Sequence, residues 1–424
     1  MSASWYIKNG RIIDPVNAID RIADLLVIDG RIAGPEQPVP SDVPEIDAQG
    51  LWVTPGLIDM HVHLREPGEE YKEDILSGAR AAASGGFTGM ACMPNTKPVN
   101  DCAAVTAMIV ARAAEAAIRV YPVGAISLGS EGKQLAEFGE MRATGIVAVS
   151  DDGRPVRDSQ LMRRALEYAS DFDLPVISHC EEASLCTGVM HEGPTATRLG
   201  LKGIPAAAEA IMVYRDIALA ELTGTRVHIA HVSTAMAVEL IRTAKGRGVL
   251  VTAETAPHYF TLTDEAVAGY DANAKMNPPL RSAADREAIR QALADGAIDV
   301  IATDHAPHSI LEKEVEFDLA ANGVIGLETA LPLTLALVRD QVIDEQRMVE
   351  LLAVTPAAIL GLASGTLSPG AAADITLIDP QQQFVYSADQ VVSKSRNTPF
   401  LDWTLQGRAV LTMVNGVIRH NLLA

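Results

Sequence analysis

Four histidines and several aspartates of this 424-residue chain fall at the ends of short apolar runs, where side chains of these types could hold a metal ion. The densest group is Asp59-Met60-His61-Val62-His63. His61 and His63 are two residues apart, so in an extended strand both side chains leave the same face and can grip one cation. Further runs lead into Asp151-Asp152, His179, His231 and Asp304. Imidazole nitrogen with carboxylate oxygen is a borderline donor set that favours Zn²⁺ over Mn²⁺, Co²⁺ or Fe²⁺. Four His and two Asp exceed the ligand set of a single catalytic zinc, which points to two ions with a carboxylate between them. A hydroxide bridging two such ions is a nucleophile near neutral pH, so the reaction class is hydrolysis. Asp151 and Asp152 differ by one register step and therefore by the face they occupy, which leaves the bridging carboxylate open between them. His228 has the opposite strand parity from His231 and reads as a packing residue. His191 and His420 read as loop or surface histidines.

The elements that must position these groups follow one pattern. Eight Val- and Ile-rich runs recur at 57–64, 86–93, 120–127, 145–150, 174–180, 226–232, 249–255 and 298–304, with helical stretches between most of them. One helix is expected over 159–170 with Asp158 or Ser159 as its cap, another from Ser233 to Gly246, and a third from Ser282 to Gly296. Eight strand–helix units over about 300 residues predict a parallel (β/α)₈ barrel, whose active site lies where its strands end. No GxGxxG or Walker-type phosphate loop interrupts them. Both termini instead show short alternating strands with turn signals, each too small for its own core. The expected division is therefore 1–54 and 365–424 as two parts of one small β domain, and 55–364 as the barrel.

Composition narrows the function further. With 34 Lys+Arg against 54 Asp+Glu, the net charge of −20 disfavours nucleic acid and anionic membranes as partners. No run is long and apolar enough to span a membrane, and the N-terminus lacks the pattern of a secretory leader. The four cysteines form no CxxC pair and read as buried reduced thiols, so a cytoplasmic protein is expected.

Seven segments in order, PGLIDMHVHLREPG (55–68), GGFTGMACMPNT (85–96), SDDG (150–153), SHCEE (178–182), HVST (231–234), KMNPPLR (275–281) and ATDHAPH (302–308), resemble the amidohydrolase superfamily. More closely, they resemble its bacterial class I dihydroorotases. The resemblance covers essentially the whole chain. It implies that His61 and His63 bind one zinc, His179 and His231 a second, and Asp152 bridges them together with hydroxide. Asp304 is implied to be both a metal ligand and the acid/base. His63, Arg65 and Asn95 would contact the substrate, with Arg65 and Asn95 on its carboxylate, and Asn277 and His308 on the ring or leaving group. A bidentate guanidinium is well suited to a carboxylate. Asn322 and Gly323 are carried over for backbone contacts, although Ala321-Asn322-Gly323 replaces the Pro-Phe-Gly common in the family. His258-Tyr259 stands where many relatives have two histidines.

The implied activity is reversible hydrolysis of L-dihydroorotate to N-carbamoyl-L-aspartate in pyrimidine biosynthesis. A hydantoinase- or dihydropyrimidinase-like cyclic amidase is disfavoured, because those relatives typically carry a carboxylated Lys in strand four and GIVAVSDDG has none. A non-catalytic partner of aspartate transcarbamoylase is disfavoured because every expected ligand is kept. Association with that transcarbamoylase, and a homodimer, are compatible with the resemblance. The loop from His305 to Gly326 is longer than an ordinary βα connection and is expected to act as a lid.

Overall fold

The structure, a computed structural model, describes residues 3–423. Eight parallel strands form its central sheet: Leu57–Val62 (β1), Phe87–Cys92 (β2), Arg119–Gly124 (β3), Ala148–Ser150 (β4), Val176–Ser178 (β5), Val227–Ile229 (β6), Val251–Thr255 (β7) and Val300–Ile301 (β8). Each falls within one of the eight apolar runs, except that β3 starts one residue before its run at Arg119, and their spatial order is their chain order. Strand β8 returns to β1 through a parallel bridge between Val62 and His305 and a hydrogen bond from His63 N to His305 O at 2.8 Å. The sheet thus nearly closes into a barrel.

A helix follows each strand: Ile75–Ser84 (α1), Ala103–Ala113 (α2), Phe138–Thr144 (α3), Ser159–Ser170 (α4), Ala207–Thr223 (α5), Ala235–Gly246 (α6), Ala283–Asp295 (α7) and Ala330–Arg339 (α8). Their starts follow from local chemistry. Asp158 accepts from Leu161 N at the start of α4, and Ser282 and Asp285 cap α7 reciprocally before it stops at Gly296, φ 82°. Helix α6 begins later than Ser233, with Thr234 as its cap, because the Ser233 backbone N–H and hydroxyl are both taken by Glu209.

Two apolar layers hold the barrel. Met60, Ala91, Val123, Ile177, Ala230 and Val300 fill its interior, whereas Leu57, Val62, Phe87, Val176 and Ile229 face the helices. A register irregularity in β1 between Asp59 and Val62 lets its side-chain alternation change phase just before the rim.

Both termini share the second large sheet, ordered Val417–Asn421, Thr404–Val414, Ile375–Val385, Trp52–Pro55, Trp5–Asp14, Ile19–Ile28 and Arg31–Ile32, with Glu45–Asp47 alongside Trp5–Asp14. Leu377 pairs with Val53 across the junction, within a cluster that includes Ile7, Val27, Ile375 and Met413. All four cysteines are free, but only Cys92 and Cys180 are buried. Cys102 is exposed and Cys186 half-buried, which corrects the expectation of four buried thiols. No helix among the described residues is long and apolar enough to cross a membrane.

Candidate active site

Asp152 stands at the centre of four imidazoles. Its Oδ1 lies 3.4 Å from His61 Nε2, 3.4 Å from His179 Nδ1 and 3.5 Å from His231 Nε2, and its Oδ2 lies 3.5 Å from His63 Nε2. Asp304 completes the group, its Oδ1 3.1 Å from His63 Nε2 and 3.7 Å from His61 Nε2. All six side chains are buried. Asp151 points elsewhere: it accepts from Ile126 N at 2.9 Å, from Ser127 N at 3.1 Å and from the Ser127 hydroxyl. The register step that the sequence leaves open therefore brings Asp152, not Asp151, to the histidines.

Two donor groups within this cluster have metal-holding geometry, His61 with Asp152 and His231, and His61 with His63 and Asp304. His61 Nε2 and Asp152 Oδ1 have no hydrogen-bond partner despite complete burial, which is costly unless a cation claims them. The donor set and these orphaned atoms fit a divalent metal. Burial opposes charge on Asp152, but the positive His61 and the imidazoles of His179 and His231 beside it hold it well below the usual carboxylate range. Burial likewise opposes charge on Asp304, and the His63 hydrogen bond with the charges of His61, His63 and His231 still keeps it low. Both carboxylates are thus ionised and ready to ligate.

Backbone geometry at the rim is strained. Arg65 (φ 59°), His231 (φ 35°) and Asp304 (φ 49°) all lie in the left-handed region, at a cost of about 1–3 kcal/mol each. Buried carboxylates brace two of them. Asp59 accepts Thr303 N (3.1 Å), Thr303 Oγ1 (2.5 Å) and His61 N (3.1 Å), tying β1 to the residue before Asp304. Glu209 of α5 accepts Ser233 N (3.0 Å) and Thr234 N (3.1 Å), fixing the turn after His231.

A cavity of about 240 Å³ opens over the cluster, lined by His63, Asp152, His179, His231 and Asp304 together with Arg65, Asn95, Asn277, His308, Asn322 and Gly323. Drug-sized pockets run to roughly 300–1,000 Å³, so this one selects a small ligand. Every residue proposed from sequence to touch substrate reaches it. Asn95 Oδ1 lies 2.8 Å from His63 Nδ1 and its Nδ2 3.4 Å from Asp152 Oδ2. Arg65 Nε donates to Pro307 O at 3.1 Å, and His308 Nε2 lies 2.8 Å from Asn322 O. Burial, with the positive charge of Arg65 beside it, pushes His308 down to about 3, leaving a neutral ring.

Two side chains behind the cluster escape sequence reasoning. Glu254, at the end of β7, places Oε1 2.5 Å from His61 Nδ1 and Oε2 3.3 Å from His228 Nε2. His228 is accordingly not a packing residue, since its Nδ1 also lies 2.8 Å from Thr252 Oγ1. Burial raises the Glu254 carboxyl, but the charges of His61 and His228 and their hydrogen bonds hold it well below the usual range. A buried glutamate in the apolar run VLVTAET was the signal available, because such a charge survives only when paired. On the other side Glu181 lies 3.6 Å from His179 Nε2. His191 sits half-buried in a two-residue strand, with Nδ1 3.5 Å from Arg281, and His420 is half-buried in the terminal sheet. His258 is fully buried, its ring 4.2 Å from that of Tyr259.

Glu254→Gln is expected to weaken metal affinity about 10- to 100-fold, since an outer carboxylate fixes the ligand's tautomer and orientation. Competition against a chromophoric chelator measures it. Unchanged affinity would show that His61 needs no such anchor.

A (β/α)₈ barrel with histidines and aspartates gathered at its strand ends defines the amidohydrolase class. A profile of Dihydro-orotase-like proteins matches residues 50–237. The chain is 60% identical to the dihydroorotase of Geotalea daltonii, over 98% of this chain and 99% of that one, and 57% identical to that of Anaeromyxobacter dehalogenans, over 99% and 98%. Among solved structures it is similar to the L-hydantoinase (dihydropyrimidinase) of Arthrobacter aurescens, with a TM-score of 0.87 at 25% identity over 98% of this chain and 96% of the other. The chain belongs to the dihydroorotase family.

Proposed function

We propose that this protein is a bacterial class I dihydroorotase, interconverting L-dihydroorotate and N-carbamoyl-L-aspartate in pyrimidine biosynthesis. The observation that carries the reading is that Arg65, Asn95, Asn277 and His308 line one small cavity above the Asp152–imidazole cluster. Such a cavity suits a small cyclic amide bearing a carboxylate. The hydantoinase likeness supports the shared barrel and cyclic-amide chemistry, while 57–60% identity to dihydroorotases favours the carboxylated substrate.

His61 and His63 would hold one zinc and His179 and His231 a second, with Asp152 between them and Asp304 as a further ligand. Zinc bound there supplies Lewis-acid polarisation of the ring carbonyl and a nucleophile at neutral pH. Arg65 and Asn95 hold the substrate carboxylate, while Asn277, His308 and the backbone of Asn322 and Gly323 orient the ring. His63, which lines the cavity as well as the cluster, would serve both metal and substrate. As water adds to the amide carbonyl, Asp304 takes its proton and returns it to the departing ring nitrogen when the C–N bond breaks. Ring closure retraces these steps and expels water.

The reading extends to a cytoplasmic homodimer, open to association with aspartate transcarbamoylase, with 1–54 and 365–424 as one small domain beside a 55–364 barrel. Molecular mass in solution and co-purification test the assembly. The central assay compares dihydroorotate with hydantoin and dihydrouracil on metal-replete protein. Preference for either uncharged ring would refute the substrate assignment. Arg65→Met is expected to raise KM for dihydroorotate about 10²-fold, because removing one partner of a buried charged hydrogen-bonded pair costs a few kcal/mol. The same variant should leave hydrolysis of dihydrouracil unchanged, and an equal loss on both substrates would remove Arg65 from carboxylate recognition.

A further inference from the structure

The segment from His305 to Gly326 carries four of the cavity's lining residues, Ala306, His308, Asn322 and Gly323, yet its middle has little core of its own. Between Glu314 and Ala320 only Phe317 and Ala320 are buried. Its anchor is a pair of buried lysines, each 5% exposed. Lys275 Nζ donates to Phe317 O (2.7 Å), Asp318 O (3.0 Å) and Ala320 O (2.8 Å). Lys313 Nζ donates to Ala272 O (2.7 Å), Ala321 O (2.8 Å) and Lys275 O (3.2 Å). Lys275 O also accepts Gly323 N at 2.9 Å. Each ammonium thus spends its three donors on backbone carbonyls rather than on a carboxylate.

That arrangement is expensive as packing alone. Burying an ammonium costs desolvation, and an apolar side chain of similar length would fill the same volume without it. What the lysines supply is directional. Lys313 converges carbonyls from two stretches, joining 272–275 to Ala321, and Lys275 gathers three carbonyls of 317–320 onto its own stretch. Residues 272–275 lead directly into Asn277, and 317–321 into Asn322 and Gly323, so both ends of the clamp run into the cavity wall.

We propose that Lys275 and Lys313 are positioning residues that lock the 305–326 segment in its substrate-binding shape. They set substrate affinity without touching substrate, metal or reacting atoms. The proposal rests on the dihydroorotase reading for its substrate. It also turns the expected lid into a wall that is fastened in place.

When only a fraction of molecules holds the binding-competent shape, apparent affinity falls by that fraction while turnover of the bound complex is kept. Lys313→Met and Lys275→Met should therefore raise KM for dihydroorotate by about tenfold or more, keep kcat within about twofold, and retain the wild-type metal content. Without substrate, a glutamate-specific protease should cut faster at Glu314 and Glu316. Should the methionine variants fail to fold, Lys313→Ala assayed with propylammonium provides the same test, with KM returning toward the wild-type value as the amine refills the site. Unchanged KM with unchanged cleavage would overturn the proposal, as would a fall in kcat with metal loss at constant KM. Wild-type protein inert toward dihydroorotate would instead strike the functional reading, leaving the cleavage comparison to judge the clamp.

Discussion

Asp304→Asn is expected to lower turnover about 10³-fold in both directions, within the range that a positioned acid/base contributes. The residue stands at the end of β8 with Oδ1 3.1 Å from His63 Nε2, on a backbone held at φ 49° by the Thr303–Asp59 hydrogen bonds. An amide of the same shape keeps that position and one oxygen donor but cannot take a proton at neutral pH. Metal content should therefore fall only partly. Rates measured with dihydroorotate and with carbamoyl aspartate, alongside elemental analysis, separate the two effects. Near-normal turnover would sink the acid/base assignment, and complete metal loss would reduce Asp304 to a ligand.

His61→Ala should reduce turnover to background and release at least one metal ion per chain. His61 is common to both donor groups, and its far nitrogen is fixed by Glu254. Its removal also leaves the buried Glu254 with only the His228 ring beside it, and breaking a buried ion pair costs about 3–5 kcal/mol. A lower melting temperature is expected even in metal-free protein, where loss of the ion cannot be the cause. Wild-type metal occupancy in the variant would refute the ligand set. Unchanged stability of the metal-free protein would mean that His228 alone compensates Glu254.

Much of the site was legible because its spacing is local. Strand period two puts His61 and His63 on one face whatever the rest of the chain does, and eight apolar runs, five of them leading into imidazole or carboxylate, already specify a barrel rim. Segments such as HVHLREPG and ATDHAPH carry the family resemblance in contiguous residues. The sharing of one sheet by both termini was legible too, since neither end alone has strands enough to bury a face.

Other features depend on how strands from distant parts of the chain are registered. Asp151 and Asp152 are equivalent in sequence until β4 is set beside β3, where Ser127 and Ile126 capture the first and the four imidazoles surround the second. Glu254 reaches His61 across 193 residues of chain, and Lys275 reaches Ala320 across 45. A side chain's face is fixed by backbone geometry within a few residues, so sequence alone determined which groups could act. Their partners became determined only when barrel closure put separate strands in register, because a buried charge takes its meaning from what lies within about 3 Å of it in space.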